Sequence, residues 1–87
     1  MFKKRRGIHI PYNKQGLIYF TCMDVKNQPP EIQDKILNLC MSVGEEDWQA
    51  LYELVTDSTQ SVTALALKYF INEKRLYKLR KEFYESW

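Results

Sequence analysis

The sequence predicts an all-α domain, and three observations lead there. Glycine and proline occur three times each in 87 residues, too few for an all-β chain, which needs a turn about every 8–12 residues. Apolar residues recur at helical spacing in four separate segments of the second two-thirds of the chain. Hydrophobic residues make up 45% and charged residues 28%, close to the globular average, so one modest core is within reach and a second is not. The expected architecture is a compact helical domain of four or five helices over residues 15–87, preceded by a basic arm at 1–14.

The arm is read from Gly7, Pro11 and the run Lys3, Lys4, Arg5 and Arg6. Such a run is either a solubilising end or an arm that lies on phosphates or in a minor groove. The next segment, Leu17-Ile18-Tyr19-Phe20-Thr21-Cys22-Met23, is apolar nearly all round, so periodicity does not separate helix from strand. Its aromatic and β-branched residues favour a strand locally. No other segment offers a partner strand, however, and a lone strand leaves its backbone groups unpaired, which favours a helix packing a broad apolar surface beneath the others.

Pro29-Pro30-Glu31 opens the following helix, because proline suits a first helical turn and an acid there complements the helix dipole. Ile32, Ile36, Leu39, Cys40 and Val43 continue it, and Gly44 is the expected stop. Glu45-Glu46-Asp47 reads as the first turn of a third helix, with Trp48, Leu51, Tyr52 and Val55 on one face, ending near Thr56. Residues 57–61 supply turn and cap chemistry. Val62, Leu65, Ala66 and Tyr69 then mark a short helix. After a break at Phe70-Ile71-Asn72, a last helix capped by Asn72 buries Leu76, Leu79, Phe83 and Trp87.

Charge is unevenly spread along the chain. The net charge of +2 divides into +5 for residues 1–14, −6 for 15–60 and +3 for 61–87. Two basic ends around an acidic middle suit a chain whose ends follow a polyanion, and equally a mixed solvated surface.

The last two helices form a candidate helix-turn-helix at 61–87. Ala66 takes the small position midway along the first helix, Val62 and Leu65 precede it, and Ile71, Leu76 and Leu79 fall where apolar anchors lock the crossing. One position departs: the turn residue four after Ala66 is usually glycine, and here it is Phe70, which suggests a wider turn. With Leu76, Leu79, Phe83 and Trp87 inward, the expected outward face of the recognition helix, about 73–86, carries Lys74, Tyr77, Lys78, Lys81 and Tyr84, flanked by Arg75 and Arg80. Lysine and arginine can meet phosphates or guanine edges, and tyrosine hydroxyls can meet phosphates. Recognition helices present their N-terminal residues to the groove, which places Asn72, Glu73, Lys74, Tyr77 and Lys78 nearest the bases. The candidate DNA-binding residues are thus Asn72, Lys74, Arg75, Tyr77, Lys78 and Lys81, with Lys3, Lys4, Arg5 and Arg6 of the arm.

Residues 61–69 (Ser-Val-Thr-Ala-Leu-Ala-Leu-Lys-Tyr) and 72–81 (Asn-Glu-Lys-Arg-Leu-Tyr-Lys-Leu-Arg-Lys) resemble the DNA-binding end of bacterial transposase subunits and sigma-factor region four, where an acidic first helix precedes the motif. That resemblance spans residues 45–84 at most. The N-terminal part, with Gln15-Gly16-Leu17-Ile18-Tyr19-Phe20 and Gln28-Pro29-Pro30, is similar to small proteins of Gram-positive prophages and conjugative elements. Together the resemblances imply a regulator or accessory protein of phage or mobile-element genes.

Other functions find little support. Cys22 and Cys40 form no C-x-x-C pair, and His9 is the only histidine, so no zinc ligand set of usual spacing exists and both thiols are expected to be reduced and buried. No glycine-rich phosphate loop and no nucleophile with an evident histidine partner is present, so no enzymatic activity, cofactor or small-molecule substrate is expected. No segment reaches the roughly 18 apolar residues of a membrane span, and a cytoplasmic location is expected. Double-stranded DNA is the expected partner. A module this small seldom reaches specific affinity alone, so a homodimer or a partner protein is expected as well. The competing reading is an adaptor that docks a basic protein through its acidic middle, with Trp48 and Tyr52, and leaves DNA alone.

Overall fold

Prolines open the first two long helices and side-chain caps open the last two. The computed structural model describes residue 8 and residues 10–87; among these it has five α-helices and no strand. They are α1 (Tyr12–Met23), α2 (Pro30–Gly44), α3 (Trp48–Thr56), α4 (Val62–Tyr69) and α5 (Glu73–Ser86), with 3-10 turns at Val25–Asn27 and Glu45–Asp47. The all-α expectation holds, and the ambiguous segment around residues 17–23 is a helix. No helix among the described residues is long and apolar enough to cross a membrane. Lys3, Lys4, Arg5, Arg6 and His9 lie outside the described residues.

α1 begins at Tyr12, inside the segment read as an arm, with the Pro11 carbonyl accepting from the Gln15 amide at 3.0 Å. Ile8 is part of the core. Gln15 is fully buried, and its Nε2 donates to the carbonyl oxygens of Ile8 at 3.3 Å and Ile10 at 3.1 Å. A buried amide needs such acceptors, so Gln15 fastens Ile8 and Ile10 to α1. Both residues therefore belong to the domain. The expectation of a broadly buried α1 does not hold: Gln15, Ile18 and Cys22 face inward, whereas Leu17 and Phe20 are exposed. A helix meeting neighbours on one side buries one stripe only, however apolar the rest is.

α2 starts with Pro30 in its first turn and buries Ile36, Cys40 and Gly44 along one row. Gly44 does end the helix, but it is not the residue that leaves the helical region. Its backbone is still helical, and the positive φ of 50° falls on Glu45. A Cβ on Gly44 would lie 3.4 Å from Trp48 Cβ and 3.5 Å from Leu51 Cδ2 on α3, ordinary van der Waals contact, so the packing of α3 does not itself require glycine there. The acids Glu45, Glu46 and Asp47 form a 3-10 turn of their own instead of the first turn of α3.

α3 is the shortest helix but one and touches all four others, with Ala50, Leu51, Leu54 and Val55 buried. The Ser61 hydroxyl caps α4 by accepting from the Ala64 amide at 3.1 Å, and the Asn72 side chain caps α5 by accepting from the Lys74 amide at 2.8 Å. α5 lays Leu76, Leu79 and Phe83 against α2, α3 and α4. Trp87 continues that stripe half-buried, its ring 6.0 Å from that of Phe83 and covered by Lys35 Nζ at 4.0 Å from its centroid. Cys22 and Cys40 are buried free thiols, and burial pushes both up to about 12.

Candidate nucleic-acid interface

α3, α4 and α5 pack on one another pairwise, and α4 meets α5 through the three-residue turn Phe70-Ile71-Asn72. The turn is tight, contrary to the wider one that a phenylalanine suggested. Phe70 itself takes the left-handed conformation, φ 57° and ψ 45°, that glycine takes most readily. The Ala66 carbonyl, in the last turn of α4, accepts from the Phe70 amide and from the Ile71 amide, the latter at 2.9 Å. Thr63 Oγ1 donates to Glu73 Oε1 at 2.8 Å, tying the start of α4 to the start of α5.

The helical repeat of α5 sends Lys74, Lys78 and Lys81 to the side opposite Leu76 and Phe83. Lys74 and Lys78 are exposed and Lys81 is half-exposed. Tyr77 is 51% exposed and borders this row, with the Arg80 guanidinium 5.3 Å from its ring centroid. Asn72 is exposed, but its side-chain oxygen is committed to the cap. Tyr84 departs from the expected outward face: at 2% exposure it belongs to the core, its ring 6.1 Å from that of Phe83.

Two sets of acids shape the charge of this face. Glu82 and Glu85 lie on the C-terminal part of the outward side, and Glu82 stands 3.9 Å from Lys78. Arg75 is held on the flank, where its Nε donates to Asp47 Oδ2 at 2.5 Å. That carboxylate, with Glu45 and Glu46 nearby, raises the guanidinium further above its ordinary value. The concentration of lysine at the N-terminal half of α5 is therefore the most strongly positive part of the helix. On the other side of the pair, Lys68 Nζ lies 2.9 Å from Glu53 Oε1 and the Tyr69 hydroxyl donates to Glu53 Oε2, which fastens α4 to α3.

Sequence reasoning missed the apolar surface beside this helix. Phe70 is 96% exposed and Leu67, one turn earlier, is 74% exposed. Leu67 lines an open cleft of about 410 Å³ together with Thr63, Ala66, Ile71, Asn72, Glu73 and Lys74, at the N-terminal end of α5. The available signal was Phe70 at a turn position that calls for glycine. The described residues contain no group of three or more His, Cys, Asp or Glu side chains placed to hold a metal ion. Comparison with protein-family models, curated proteins and solved structures gave no match.

Proposed function

We propose that the chain binds double-stranded DNA, with α4 and α5 as a helix-turn-helix and α5 as its recognition helix. The observation that carries this reading is the row Lys74, Lys78 and Lys81, with Tyr77 beside it, on the outer side of a helix that follows a three-residue turn. A helix fits the major groove, where these side chains can reach phosphates and base edges. Asn72, Glu73 and Lys74, at the leading end, lie nearest the bases. Arg75 plays a smaller part than its neighbours, because Asp47 holds it to the flank. The likeness to transposase subunits, sigma-factor region four and prophage proteins suggests the role of a transcriptional regulator or accessory protein of mobile DNA.

Fluorescence anisotropy of a labelled random duplex, titrated at several salt concentrations, tests the reading. Affinity should fall on a log-log plot with a slope of about −0.9 per phosphate neutralised. Replacing Lys74, Lys78 and Lys81 together with alanine should abolish binding and leave the circular dichroism spectrum unchanged, because all three side chains lie outside the core. Absence of duplex binding at low salt would refute the reading and turn attention to a protein partner for the acidic segment.

A further inference from the structure

The α4–α5 turn carries a cost that its fold does not explain. A phenylalanine at φ 57° sits in the left-handed region that side chains beyond glycine, asparagine and aspartate seldom adopt. Burial of the ring in the core would offset that strain, but the ring of Phe70 is 96% exposed. Glycine would make the same turn without the strain and without the exposed aromatic surface. Leu67 adds a second exposed apolar side chain three residues before, on the same end of α4. Phe70 lies three residues before α5, and the cleft that Leu67 lines runs on to Asn72, Glu73 and Lys74.

We propose that Phe70 and Leu67 form an apolar tip that contacts the 5-methyl groups of thymines beside the N-terminal end of α5. The inference rests on the DNA-binding reading and gives it a base preference. Size and charge favour this occupant over a protein. A stable protein interface takes about 800 Å² and 20–30 residues from each partner, far more than two side chains offer. A thymine methyl is matched by one apolar side chain in the major groove. The charge around the tip also suits a polyanion, since Lys74 lines the cleft and Lys78 follows one turn on, while the acid at the cleft, Glu73, already accepts from Thr63. The strained turn then has a purpose: it projects the ring from the end of the helix pair, where a glycine turn would present no side chain.

Deoxyuridine isolates the methyl group, because it keeps every hydrogen-bonding edge of thymine. Duplexes with a randomised centre are selected on the wild-type protein, and the selected sequence is resynthesised with each thymine in turn replaced by deoxyuridine. Anisotropy titrations compare wild type, Phe70→Gly and Phe70→Gly/Leu67→Ala. The proposal expects one or two positions at which loss of the methyl weakens wild-type binding by about fourfold, the equivalent of one buried methyl-sized group. At those positions the double variant should bind thymine and deoxyuridine duplexes equally, whatever its overall affinity. Equal wild-type binding to every deoxyuridine duplex would overturn the proposal, and so would a methyl preference that survives in the double variant. A dimer of the free protein in sedimentation, dissolved by Phe70→Gly, would assign the tip to a second copy and overturn it as well. Loss of all salt-dependent duplex binding by the wild type would refute the DNA-binding reading itself, an outcome distinct from binding without methyl preference.

Discussion

Arg75 Nε donates to Asp47 Oδ2 at 2.5 Å, linking α5 to the acidic turn before α3 across 28 positions of sequence. The pair gives α5 two unlike flanks. One faces Glu45, Glu46 and Asp47, and the other carries Tyr77 and Arg80. On the proposed DNA-binding reading, a phosphate backbone approaching α5 would be repelled from the first flank and drawn to Lys74 and Lys78, and the acidic turn would orient the duplex as well as hold the helix.

Replacing Asp47 with asparagine should tighten binding to a random duplex. The substitution removes one acid and releases Arg75 to a phosphate, so the salt dependence should steepen by about 0.9 in slope. The pair is partly solvated, with side-chain exposures of 41% and 20%, so stability should change by no more than about 1 kcal/mol. Anisotropy at several salt concentrations, beside a urea titration, separates the two effects. Weaker binding by Asp47→Asn would show that Arg75 serves DNA from its tethered position.

Phe70→Gly should raise stability by about 1 kcal/mol, and Glu45→Gly by a similar amount, because each removes a side chain from a positive φ. Neither side chain is buried, so nothing is lost from the core. For a domain of this size the gain corresponds to a melting temperature higher by about 4–8 °C. An unchanged urea midpoint in both variants would show that these conformations carry no strain.

The contact among Glu53, Tyr69 and Lys68 predicts a pH dependence with a definite sign. Hydrogen bonds from the Tyr69 hydroxyl and the Lys68 ammonium hold the Glu53 carboxyl below its ordinary value of 4.5. The native protein therefore takes up that proton less readily than the unfolded chain, and the stability present above pH 4.5 is lost as pH falls through the lowered native value. The same carboxylate raises the Tyr69 phenol above 10, so its contribution is full below pH 10 and is lost as pH rises through the raised value. Tyr69→Phe and Glu53→Gln should each flatten both limbs of a stability profile, because each shift is caused first by the other partner. An acid limb identical in wild type and Glu53→Gln would assign acid sensitivity to other groups.

Cys22 and Cys40 should resist alkylation in the folded protein at pH 8, since burial pushes both thiols up to about 12 and the thiolate is the reactive form. Reaction with a disulfide reagent such as Ellman's should proceed only as urea unfolds the chain. Rapid labelling of either thiol without denaturant would show local opening of α1 or α2.

Much of this architecture was legible as spacing. The rows Ile36 and Cys40, Leu51 and Val55, and Leu76, Leu79 and Phe83 sit at helical intervals, and the caps Ser61 and Asn72 are residue types that accept from a first-turn amide. The lysine row on α5 follows from the same period once the inner stripe is known. Tyr84 did not follow, because α5 is flanked by α2, α3 and α4 and so buries a wider arc than one stripe predicts. Leu17 and Phe20 erred the other way, since their apolar character did not reveal which side of α1 would meet α3.

Local periodicity and capping chemistry, both written within a few residues, thus determined α2 to α5, their order and the main inward row of each, while the inward side of α1 was left to its neighbours. The tertiary structure alone decided which polar groups meet: Arg75 with Asp47, Glu53 with Tyr69 and Lys68, and Gln15 with the carbonyls of Ile8 and Ile10. It also decided where the backbone takes a positive φ, at Glu45 beside Gly44 and at Phe70. Those outcomes depend on how far and at what approach the helices pack, and close packing selects them only after every helix has found its neighbours.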